Sequence, residues 1–161
     1  MLKMLITNNL IAVAIHVCIC LVLIIPLGLL IGPGHLWSES TLELLPLWHI
    51  AKRLIAIGIY TAVAIILYFW AGRKFLTNTD NMLTSILSVI ALTIVIILAT
   101  FAAEGSFGNR LRYHLLAMLT IPIGPIGATV AHFLRIDNLY SYLIMSIMPS
   151  LAMWVGMVTK R

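Results

Sequence analysis

Apolar residues run through this chain in five long blocks separated by short polar stretches. The blocks cover about residues 10–31, 54–71, 82–103, 114–134 and 139–158, each close to the roughly 20 residues that cross the hydrocarbon of a bilayer. Residues 35–49, between the first two blocks, are half-polar. There Ser40-Thr41-Leu42-Glu43 matches a capping box, Trp37 and Trp48 flank it, and Pro46 keeps any helix short. The pattern predicts a brief helix in the membrane interface; the same residues also suit a lid over a site between the helices. The expected fold is therefore an all-α integral membrane protein. It forms a single transmembrane domain of about five helices, with an interfacial helix in the first loop.

The fourth block, His114 to Leu134, departs from a plain span because it holds Pro122, Gly124, Pro125 and Gly127. A proline inside a helix removes an N–H and clashes with the carbonyl four residues back. Pro122 and Pro125 should thus free the carbonyls of Met118 and Ile121, which neighbouring helices or hydroxyl groups must then satisfy. Thr120, Gly124, Ala128 and His132 recur every four residues and form a narrow stripe of small and polar groups. The stripe suits either close packing with another helix, bonded by Thr120, Thr129 and His132, or a site for a cation or headgroup at a helix break; packing is the favoured reading. The fifth block has a similar soft point at Pro149. Gly58 and Ala62 form a small-xxx-small pair on the second block. The four-residue link 135–138 makes the fourth and fifth blocks antiparallel neighbours.

Composition strengthens the membrane reading. Hydrophobic residues make up 62% of the 161 and charged residues only 9%, against about 25% charged in soluble domains. Mean hydropathy is +1.11. The net charge of +5 comes from basic residues set singly or in pairs between the blocks. That placement fits headgroup anchors and excludes a nucleic-acid surface. By the positive-inside rule, five spans would put Lys52, Arg53, Arg110, Arg112, Lys160 and Arg161 on one side, leaning towards an outside N-terminus, whereas Lys3 and the acid-bearing first loop suggest the reverse. The first block is longer than a signal-peptide core and lacks a small-x-small cleavage pattern, so it is expected to be retained.

Candidate chemistry is sparse. Glu104 and His114 are the candidate proton-transfer groups, and Arg110 and Arg112 the candidate anion holders. Thr120, Gly124 and His132 are the binding candidates of the broken block, and Pro122, Pro125 and Pro149 the helix-breaking positions. His16 and Cys20 lie one turn apart, too few ligands for a metal, so His16 is expected to be a buried residue bonded to a neighbouring helix. No catalytic motif, metal set or cofactor fingerprint is present. The leading expectation is a non-enzymatic, multi-pass protein of the cell membrane. It would act through helix contacts with a membrane-protein partner or a second copy, as an accessory, assembly or immunity-type subunit. The alternatives are a small permease or channel subunit, and an intramembrane enzyme acting on a lipid headgroup.

Overall fold

The computed structural model describes residues 2–31, 47–78, 81–104 and 118–160. Every regular element among them is a helix. They are α1 (Leu2–Ile31), α2 (Leu47–Phe75), α3 (Met82–Leu87), α4 (Ile90–Glu104), α5 (Gly124–Leu134), α6 (Asn138–Met145) and α7 (Ile147–Val158). The stretches Leu2–Pro26, Ile50–Phe75, Met82–Ala102 and Leu139–Val158 are long and apolar enough to cross a membrane. Four such helices are found among the described residues; residues 114–117 of the fourth expected block lie outside them.

Residues 118–123 are turn apart from one helical residue, and α5 is 11 residues long, about 16 Å and half a bilayer. Side-chain contacts fix where this segment sits. One end of the bundle gathers Asn8, Thr77 and Lys160: the Asn8 amide pairs with Thr77 N and O at 3.1 and 2.8 Å, and Lys160 Nζ donates to Leu76 O at 3.4 Å. From there α1 and the α3–α4 pair lead away, while α2 and α7 arrive. His16 lies eight residues in from Asn8, about 12 Å, and it touches the Leu119 carbonyl. Ser141 bonds the Gly127 carbonyl at 2.5 Å, with Ser141 still nearer the far end. The chain is thus at the far end at Glu104, at mid-height at Leu119, and moving back to the far end along α5.

Lys160 lies with Asn8 and Thr77, away from the α2 start that carries Lys52. Other expectations shift in detail. The first helix starts at Leu2, ahead of residue 10, and the second runs from Leu47 to Phe75. Residues 47–49 of the expected interfacial helix belong to α2, and 35–46 lie outside the described residues.

The core follows from helical periodicity. Ile57, Tyr60, Ala64, Tyr68 and Ala71 of α2 are buried, as are Leu92, Ile96 and Ala99 of α4. Met153 and Met157 are fully buried, and Met157 Sδ lies 3.9 Å from Asn8 Nδ2 and 3.6 Å from Ser88 Oγ. The backbones of α2 and α7 come close at two glycines. A methyl group on Gly156 would collide with the Phe69 carbonyl, and one on Gly72 would lie 2.7 Å from Met153 Cα. Two glycines let the backbones meet. The expected pair Gly58 and Ala62 instead points outward, with nothing within 4 Å of a Cβ on Gly58.

Breaks in the long helices are satisfied by side chains from other elements. Between α3 and α4 the bond from Ala91 N to Leu87 O is opened by Asn9. Its amide oxygen accepts from Ala91 N at 3.0 Å and its nitrogen donates to Leu87 O at 2.9 Å. A side chain inserted into the ladder in this way is a recognised cause of a helix break. α6 begins on Asp137, whose carboxylate caps Leu139 N at 2.8 Å. Arg135 ends α5 in the left-handed conformation, φ 54°.

Candidate functional site

The polar centre of the bundle is the turn at 118–123, reached by Tyr60 and His16, with Tyr68 behind His16. The backbone accounting explains why they are needed. Pro125 has no N–H for the Ile121 carbonyl, and Tyr60 Oη donates to that carbonyl at 3.0 Å. Ile123 N and Gly124 N both turn to Thr120 O, at 3.0 and 2.8 Å. The Leu119 carbonyl is therefore left over, and His16 Nε2 lies 2.9 Å from it. The Met118 carbonyl, freed by Pro122, takes Ile121 N in a tighter turn at 3.3 Å. In an apolar interior each of these groups must be paired, and each is.

A carbonyl can only accept, so His16 Nε2 carries the proton. Nδ1 then accepts from Tyr68 Oη at 2.7 Å. The result is a directed chain from Tyr68 through His16 to Leu119, with all three groups satisfied and His16 fully buried. The expectation of a buried histidine tied to a neighbouring helix matches this geometry. Cys20 Sγ lies 3.6 Å from Nε2. That spacing resembles a thiol–imidazole pair, but Nε2 already holds a proton and offers the thiol no lone pair. Among the described residues no three His, Cys, Asp or Glu side chains come together to hold a metal.

The candidates from the sequence are distributed as follows. Pro122 and Pro125 are buried in and beside the turn, and Pro149 is buried near the start of α7, three residues after the break at Ser146. Thr120, Gly124 and Ala128 are half-buried and His132 is exposed. The face of α5 that packs on α6 is the neighbouring one, with Ile123, Gly127 and Ala131 buried and Gly127 against the Tyr142 ring. Thr129 bonds its own helix at Pro125 O, 2.7 Å away, not a neighbour. Arg110, Arg112, His114 and the Glu104 side chain lie outside the described residues.

Four contributors are not among the candidates read from the sequence. Tyr68 is 2% exposed and bonds His16. Tyr60 had no assigned role, and Asn8-Asn9 fell before the first block. The available signal was chemical: hydroxyls and amides within long apolar helices need partners.

Comparison with protein-family models, with curated proteins and with solved structures returned no match.

Proposed function

We propose that this chain is a multi-pass protein of the cell membrane that works as an accessory or assembly subunit, binding a partner through its helix flanks. Support for membrane insertion comes from the outer surface. Leu10, Leu21, Val22, Ile25, Ile55, Ile59, Ile66, Leu98, Ile144 and Leu151 are each more than half exposed. Soluble monomers rarely expose contiguous apolar patches beyond a few hundred Å². In lipid the same flanks are at no disadvantage, and residues 118–134 become a re-entrant segment whose irregular backbone is shielded by protein.

The observation that carries the partner reading is Gly58 with Ala62, an unfilled notch on the outer face of α2. The bundle uses the same device internally at Gly72 and Gly156. Saturation of the Leu119 and Ile121 carbonyls weighs against a conducting path there, since a permeant ion needs free acceptors. The test is gentle detergent extraction from native membranes with crosslinking, on the parent chain and Gly58→Leu. A partner or second copy recovered with the parent and lost with Gly58→Leu supports the reading. Identical recovery from both, or none from either, ends it.

A further inference from the structure

A cleft opens at mid-height between α2, the 118–123 turn and the start of α7. Thr61, Ala64 and Ile65 form one wall and Ile126, Met148 and Pro149 the other, around a space of about 10 Å³. A single water-sized group needs roughly 10–15 Å³ of such volume, so the space takes one hydroxyl or carbonyl oxygen and any chain attached to it lies outside, along the flank. Its mouth faces the apolar flank: Ile65 is exposed, and Ile126 and Met148 are half-buried. Thr61 stands 11 residues beyond Ile50, about 16 Å along α2, near the middle of the apolar helix.

Thr61 is buried, 7% exposed, and its Oγ1 has no hydrogen-bond partner. A helical threonine ordinarily bonds the carbonyl a turn back, so a buried hydroxyl without even that bond calls for a ligand atom. We propose that the cleft binds an oxygen-terminated lipophile. The terminal hydroxyl or carbonyl oxygen of a fatty or isoprenoid molecule pairs with Thr61 while its chain lies along Ile65, Ile126 and Met148. Phospholipid ester oxygens sit about half a hydrocarbon thickness away, ~15 Å, and do not reach. The site requires an apolar surrounding and no partner protein.

The experiment uses the full chain purified in detergent and a ten-carbon alcohol carrying a diazirine, with adducts mapped by mass spectrometry. Adducts are expected at Ile65, Ile126 and Met148, with decanol competing about tenfold better than decane, the worth of one buried hydrogen bond. Thr61→Val, which keeps the shape and removes the hydroxyl, abolishes that preference. Thr61→Ser retains it, and Ala64→Leu lowers labelling by closing the floor. Adducts spread evenly to Ile55 and Leu151, a preference unchanged in Thr61→Val, or its loss in Thr61→Ser would each overturn the site. Loss of partner recovery in Gly58→Leu is read independently.

Discussion

Replacing Gly156 by alanine tests a tight contact in the bundle. The added methyl would meet the Phe69 carbonyl oxygen and lie 2.8 Å from its carbon and 3.0 Å from Arg73 N, all of it backbone. Backbone cannot swing aside as a flexible side chain would, so α7 must move off α2 by several tenths of an ångström or more. A gap of ~0.5–1 Å forfeits about a quarter to a half of each contact well, and overpacking of this kind costs about 1–3 kcal/mol. Alanine returns up to about 1 kcal/mol of helix propensity. Gly58→Ala receives the same propensity gain but has nothing within 4 Å to strike. The difference between the two variants therefore isolates the steric effect, at about 1–3 kcal/mol. Equilibrium unfolding in mixed micelles, scored by tryptophan fluorescence, measures it. Gly58→Ala should match or exceed the parent in stability and Gly156→Ala should fall below Gly58→Ala by that margin. Equal stabilities would show that the two helices do not meet at glycine.

Other expectations concern the polar ties. His16→Phe strands the Tyr68 hydroxyl and the Leu119 carbonyl and should cost about 3 kcal/mol, whereas Tyr68→Phe, which removes one neutral bond, should cost about 1 kcal/mol; a non-zero coupling in the double-mutant cycle checks that the two act together. Nitrogen NMR of labelled histidine should find His16 protonated at Nε2 and bare at Nδ1, and the opposite tautomer would contradict the bond to Leu119. Asn9→Leu should cost about 2 kcal/mol and speed amide exchange at Ala91, and an unchanged exchange rate would mean the break is held by something else. Thr61→Val should leave stability unchanged or raise it, since it removes an unpaired buried hydroxyl.

The sequence by itself determined the helical class and the positions of four long apolar helices. Residues that cannot be hidden from water in so small a chain, repeated over spans of bilayer length, leave little alternative. It also determined that Pro122 and Pro125 would break the fourth block and release the Met118 and Ile121 carbonyls, because that follows from one missing N–H at each proline. Only the tertiary structure decided who would answer. Tyr60 comes from 61 residues away and His16 from 103, and local periodicity carries no record of such pairings. The same holds for depth. Length and hydropathy do not say at what height a segment sits, and the contacts of Leu119 with His16 and of Gly127 with Ser141 place residues 119–127. Small residues were legible as places for close approach, but which would be used was not. Gly72 lies against Met153 and Gly156 against Phe69 because α2 and α7 pack together there, while Gly58 is left on the outside.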